Sequence, residues 1–312
     1  MINQIQSKAA FAALVGRPSA GKSSLVNLFC GEKVSIVSAV PQTTRNAIRG
    51  IINRAAGQIV LVDTPGRHAS ERKLNKKLLD VSSRSITDAD LILYVLDASR
   101  APGPEELAIA SVLKPHSAAC IVAVNKMDLP SANFAVCRAF LAQQLPEVPD
   151  SRIFTVSALK DENAEALIEA LFSLAPAGSP FYPPEYYTDQ ELPFRVSEII
   201  REKAINKLRD ELPHALYVEV ADAELRETPN DDKPQKDQRP LLWVRAFIIM
   251  ERESQKGMVV GKGGAMIKAI RQEAQKEISR IFGWKVELDL RVKSSSDWRH
   301  NDYKLKRICG GT

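Results

Sequence analysis

Gly16-Arg17-Pro18-Ser19-Ala20-Gly21-Lys22-Ser23 carries the strongest signal for the fold. It satisfies the pattern G-x-x-x-x-G-K-[S/T], with apolar Ala12 to Val15 before it and a helical run from Ser24 after it. In a strand-loop-helix setting, the glycines let backbone N–H groups wrap a phosphate at a helix N-terminus. Lys22 then reaches the outer phosphates, and the Ser23 hydroxyl ligates magnesium. The pattern alone also occurs in loops with no such role, so its weight comes from that setting.

Ile59 to Val62, Leu91 to Leu96, Cys120 to Val124 and Ile153 to Val156 are further strand candidates, separated by helical patterns. Strands alternating with helices imply βαβ units. The expected fold class is therefore α/β, a doubly wound, mainly parallel sheet whose sites lie at the C-terminal strand ends. Three short motifs fall at those ends: Asp63-Thr64-Pro65-Gly66, Asn125-Lys126-Met127-Asp128 and Ser157-Ala158-Leu159. At the first, Asp63 can hold a magnesium-bound water, and the Gly66 N–H can face a terminal phosphate. Each motif taken singly is an ordinary turn.

Four motifs in this order resemble the translation-factor-like GTPases. The resemblance implies that Asp128 accepts hydrogen bonds from the guanine N1–H and exocyclic amine, which adenine cannot offer. It also implies that Lys126 lays its stem along the base and that the Ala158 N–H meets the guanine carbonyl. The implied contact set for GTP or GDP is Gly16, Arg17, Pro18, Ser19, Ala20, Gly21, Lys22, Ser23, Ser24, Asp63, Thr64, Pro65, Gly66, Asn125, Lys126, Asp128, Ser157, Ala158 and Leu159. Pro41-Gln42-Thr43-Thr44-Arg45 resembles the switch segment of the Era and TrmE branch, where Thr44, in preference to Thr43, completes the Mg2+ shell of Ser23 and water-linked Asp63. Lys22, Thr44 and Gly66 are then the catalytic residues. Two positions depart from the branch. Arg67 follows the glycine where an apolar residue is usual, so no side chain is evident to orient the attacking water. Ser19 stands where an asparagine often helps to bind potassium. Slow intrinsic hydrolysis is expected, and potassium stimulation is not carried over.

At 312 residues the chain has room for a second core. Prolines 176, 180, 183, 184 and 193 break the pattern, so the expected division is a GTP-binding domain over 1–174, a proline-rich linker over 175–193 and a smaller α+β domain over 194–312. That last part reads helix (Phe194 to Leu208), strand (Leu216 to Val220), polar loop (Arg226 to Pro240), strand (Leu242 to Met250), a glycine turn between helices, and a strand (Val286 to Val292). Residues 1–194 carry 19 basic and 19 acidic side chains, whereas from Lys256 onward 13 basic residues face 6 acidic ones. Such a local excess suits a polyanion, although a solvated surface can also carry it.

Inside the basic segment lies Gly261-Lys262-Gly263-Gly264, a G-x-x-G loop between helical runs. By itself that tetrapeptide is often a helix-turn-helix connection. In an α-β-β-α-α-β order it resembles a type II KH domain, which clamps about four single-stranded nucleotides. The implied RNA contacts are Gly261, Lys262, Gly263, Gly264 and Lys268. Trp284, heading a strand, is expected to pack in the core; Trp298, in a polar segment, is expected to be exposed and to contact RNA.

One GTPase domain joined to one KH domain resembles the Era-type GTPases over essentially the whole chain. A second P-loop, as in EngA, and a C-terminal catalytic cysteine setting, as in TrmE, are both lacking. The resemblance implies a monomer that binds near the 3′ end of small-subunit ribosomal RNA and acts in maturation of the small ribosomal subunit. It leaves open a peripheral association with the inner face of the cell membrane. No apolar run nears the ~18 residues of a membrane span, and Ala9 to Val15 lacks a signal peptide's basic leader and cleavage site, so a cytoplasmic location is expected. Cys30, Cys120, Cys137 and Cys309 show no metal-binding spacing and read as reduced thiols. Two rivals are a P-loop phosphotransferase acting on a small metabolite and a passive RNA-binding module. Asn125-Lys126-Met127-Asp128 argues against the first, and intact Lys22, Ser23, Asp63 and Asp128 argue against the second.

Overall fold

Alternation of apolar side chains builds the first unit. In the computed structural model, which describes residues 7–38, 40, 43, 45–46, 48–63, 86–226, 239–296 and 298, strand β1 (Lys8–Val15) points Ala10, Ala12 and Leu14 to one face and Ala13 and Val15 to the other. The same split recurs in β4 (Leu91–Asp97) and β5 (Cys120–Asn125), so both faces of the sheet are apolar and both must be covered. Helices Lys22–Cys30 and Ala164–Leu174 cover the first face; Pro104–Leu113 and Phe134–Gln144 cover the second.

The sheet runs β2-β3-β1-β4-β5-β6, with β2 (Ile48–Arg54), β3 (Gly57–Asp63) and β6 (Ile153–Thr155) completing it. Only β2 is antiparallel among these described strands. It is absent from the sequence reading because it is an edge strand, recognisable by its pairing with β3 rather than by its own pattern. No described helix is long and apolar enough to cross a membrane.

Residues 176–189 are not a free linker. The boundary between the two compact units of the chain falls between Asp189 and Gln190, and the proline-rich segment lies against the first unit. Ile51 N–H donates to Tyr187 O at 2.9 Å, Asn53 Nδ2 donates to Pro184 O and Tyr186 O, and buried Gln58 bonds Phe181 and Tyr182. Prolines lack N–H groups but keep their carbonyls, so this strap can satisfy the polar groups that edge strand β2 leaves open.

The second unit begins with helix Leu192–Lys207, followed by β7 (Leu216–Arg226) and β8 (Leu241–Met250). Helices Glu253–Val260 and Ala265–Phe282 and strand β9 (Lys285–Ser294) complete it. The strand order is β7-β8-β9, with the first pair antiparallel and the second parallel. Leu242, Val244, Ala246, Ile248 and Met250 alternate onto the helix-covered face, where they meet Val196, Ile200, Ile270 and Ile278. This α-β-β-α-α-β arrangement is the type II KH order expected from the sequence.

Candidate functional site

The phosphate loop turns out of β1 into helix Lys22–Cys30. Ser19 and Gly21 adopt left-handed backbone, at φ 62° and 97°. A Cβ on Gly21 would lie 2.2 Å from Asn125 Nδ2, so only glycine lets the loop approach the Asn125 side chain. No side chain caps the helix, which leaves the first-turn N–H groups available to an anion. Lys22 is buried and donates from Nζ to the carbonyls of Gly16 (2.8 Å) and Arg17 (3.0 Å). Burial lowers its pKa to about 8, against the opposing pull of Asp63 and Glu105.

Ser23 Oγ donates to Asp63 Oδ2 at 2.6 Å, and buried Ser35 donates to the same oxygen at 2.9 Å. A hydroxyl and a carboxylate held together at the loop's end form the hard-oxygen pair that Mg2+ accepts. Nothing local in the sequence connects Ser35 with Asp63.

At the end of β5, Asn125 acts as a strut. Its Nδ2 donates to Ala20 O at 2.9 Å, and its Oδ1 accepts from Ala158 N–H at 3.0 Å, joining three of the motifs. Ser157 Oγ donates to Asp128 Oδ1 at 2.7 Å and accepts from the Lys160 N–H. Leu159 is 84% exposed beside them.

Arg17 behaves differently from the rest of its loop. Its guanidinium lies buried between Asp97 (2.9 Å) and Glu106 (3.1 Å), so its side chain braces the loop from within. Asp97 also accepts from Lys126 Nζ at 2.8 Å and from Ser99. Burial pushes the Asp97 carboxyl upward, but hydrogen bonds from Lys126, Ser99 and Arg17 outweigh it and hold the group below its ordinary value. Neither carboxylate belongs to a motif that the sequence displays. The available signal was the position of Asp97 at the C-terminal end of a parallel strand.

In the second unit, Gly261, Gly263 and Gly264 all have positive φ, at 74°, 58° and 77°, and a Cβ on Gly261 would lie 2.7 Å from that of Met266. The loop opens helix Ala265–Phe282, whose start also has no side-chain cap. Lys262 and Lys268 are exposed, and with Arg271 they form no ion pair among the described residues.

The model of the 50S ribosome-binding GTPase family matches residues 11–126, and that of the KH domain matches residues 211–299. The chain is 48% identical to GTPase Era of Treponema denticola, over 95% of this chain and 97% of that protein. The chain belongs to the Era family of GTPases. GTPase Era of Borreliella burgdorferi is 42% identical over 96% of this chain and 99% of that protein. An Aquifex aeolicus Era variant bound to GDP and AlF4− matches with a TM-score of 0.87 at 31% identity, covering 96% of this chain and 98% of that one. An Era in complex with MgGDPNP and nucleotides 1506–1542 of 16S ribosomal RNA also matches with a TM-score of 0.87 at 31% identity, covering 97% and 98%.

As an Era-family GTPase the chain departs from the sequence expectations at Trp298. That side chain is fully buried, lies 5.0 Å from the Tyr217 ring and donates from Nε1 to Ala215 O at 3.3 Å. Trp298 is therefore a core residue and not an exposed RNA contact. Its polar neighbours disguised an indole that gains more from apolar burial than from solvent. Trp284 stacks on Phe282 at the margin of the core, as expected. Thr44, Thr64, Pro65, Gly66, Arg67 and Cys309 lie outside the described residues of this Era-family GTPase.

Proposed function

We propose that this GTPase is a switch that binds single-stranded RNA near the 3′ end of small-subunit ribosomal RNA and acts in small-subunit assembly, with its RNA affinity set by the bound guanine nucleotide. The observation that carries this reading is the presence, in one Era-family chain, of the Asp128–Ser157 base-reading pair and the uncapped helix behind Gly261 to Gly264. The first accepts hydrogen bonds from a guanine edge. The second brings backbone N–H groups and lysines to a nucleic-acid strand.

In hydrolysis, Lys22 and the N–H groups of the phosphate loop hold the outer phosphates, and Asn125 and Asp128 fix the nucleoside end. Ser23 and Asp63 would hold Mg2+, which supplies charge neutralisation at the terminal phosphates. With no side chain assigned to orient water, turnover is slow and the GTP state persists long enough to act as an occupancy signal. A coupling free energy of ~1–3 kcal/mol, common between linked sites, corresponds to a change of roughly 5- to 150-fold in RNA affinity. Fluorescence anisotropy of an RNA with the 3′-terminal small-subunit sequence, titrated with protein loaded with GDP or with a non-hydrolysable GTP analogue, measures it directly. Equal affinities in the two states would reject the switch, and no binding in either would reject the RNA assignment.

A further inference from the structure

The phosphate loop follows β1 and the base-reading loop follows β5, and the strand between them in the sheet is β4. Asp97 is the last residue of β4, in register with Asn125. Its carboxylate is 3% exposed and receives one cation from each flanking loop, Arg17 from the phosphate loop and Lys126 from the base-reading loop. Ser99 closes the other oxygen through its N–H (2.9 Å) and its hydroxyl. A charge this buried must be matched, and here its two cationic partners come from two different motifs.

The two cations differ. Arg17 has a second carboxylate in Glu106, whose other oxygen accepts the Gly103 N–H at 3.0 Å. Lys126 has no second carboxylate among the described residues, and its backbone is left-handed at φ 67°. Its long stem has many rotamers, and the bond from its ammonium to Asp97 selects among them.

We propose that Asp97 is a positioning residue of the nucleotide site: it tethers the Lys126 head so that the stem is pre-aligned for the base, and ties that alignment to the phosphate loop through Arg17. The role rests on the guanine-nucleotide reading above. Asp97 acts through Lys126 and Arg17, so its loss falls on nucleotide retention and KM while kcat stays within about twofold of wild type. Because ordering one rotamer-rich side chain is at stake, release of GDP and GTP accelerates by a common factor of between about two and ten.

Two variants test this from opposite ends. Asp97→Asn is nearly isosteric but cannot match two cations. Lys126→Met keeps an unbranched apolar stem and removes only the ammonium, at a part-exposed site, while Arg17 and Ser99 still hold the Asp97 carboxylate. Stopped-flow release of a fluorescent GDP analogue at 20 °C is measured for each variant, for the double variant and for Glu106→Gln, alongside unfolding temperatures. The expected result is faster release in both single variants, no further gain in the double, and near wild-type release in Glu106→Gln despite its lowered stability. Wild-type release from Lys126→Met would overturn the tether, since the stem alone would then suffice. Equal acceleration in Glu106→Gln would also overturn it, since general loosening would then explain the effect. Failure of the wild-type protein to bind guanine nucleotide at all would instead sink the functional reading beneath it.

Discussion

Ser157 Oγ donates a hydrogen bond to Asp128 Oδ1 at 2.7 Å, linking the loop after β6 to the loop after β5. The bond occupies one side of the carboxylate that the family resemblance assigns to the guanine edge, and it restricts that carboxylate's rotation about its own side chain.

Asp128→Asn should therefore keep the Ser157 bond, because an amide oxygen accepts it, while turning one acceptor into a donor. Charge-assisted hydrogen bonds contribute about 1.5–3 kcal/mol each, so GTP affinity should drop by at least about tenfold while xanthosine triphosphate gains. Competition binding with GTP, XTP and ATP checks this, and retention of the guanine preference would remove Asp128 from its role.

The lowered pKa of Lys22 makes nucleotide binding pH-dependent. A lysine held near 8 is largely protonated at pH 7 and largely neutral at pH 8.5, and a phosphate favours the protonated form. GDP affinity should be about fourfold weaker at pH 8.5 than at pH 7, with net proton uptake on binding. For folding the sign is opposite. The unfolded chain holds this proton more tightly, so without nucleotide the contribution of Lys22 to stability increases with pH from about 8 to the unfolded value near 10.5. Calorimetric titration in two buffers of different ionisation enthalpy measures the uptake; zero uptake at pH 8.5 contradicts the assignment.

Lys262→Asp combined with Gly263→Asp should abolish binding of single-stranded RNA and leave GDP affinity unchanged. Gly263 sits at φ 58°, a conformation that aspartate tolerates better than most residues, so the loop can accept the change without unfolding. Two carboxylates would then face the phosphate backbone. Normal RNA affinity in the double variant would move the RNA site elsewhere.

Truncating Trp298 to alanine should lower the stability of the second unit by about 3–5 kcal/mol, because a buried indole and its bond to Ala215 are both lost. Chemical denaturation followed by circular dichroism provides the measurement. At low denaturant, where the unit remains folded, RNA affinity should stay within about twofold. A large loss of RNA binding with no loss of stability would restore Trp298 to the RNA surface.

The motifs and the fold class are legible in the sequence alone. Phosphate loops, guanine-reading loops and the G-x-x-G turn are short, and each works through consecutive residues whose backbone geometry is local. Gly16 to Ser23, Asn125 to Asp128 and Gly261 to Gly264 were therefore legible without a fold, and the alternation within β1, β4, β5 and β8 supplied the layers around them. How these pieces brace one another is settled by tertiary packing. Asn125 reaches Ala20 across 105 residues, Lys126 meets Asp97 across 29, and Trp298 finds Ala215 across 83. The strap over 176–189 likewise depends on edge strand β2 being present to receive it. Such pairings are selected by burial, which forces each enclosed polar group to find a partner wherever the fold brings one within reach. No periodicity along the chain records which partner that will be.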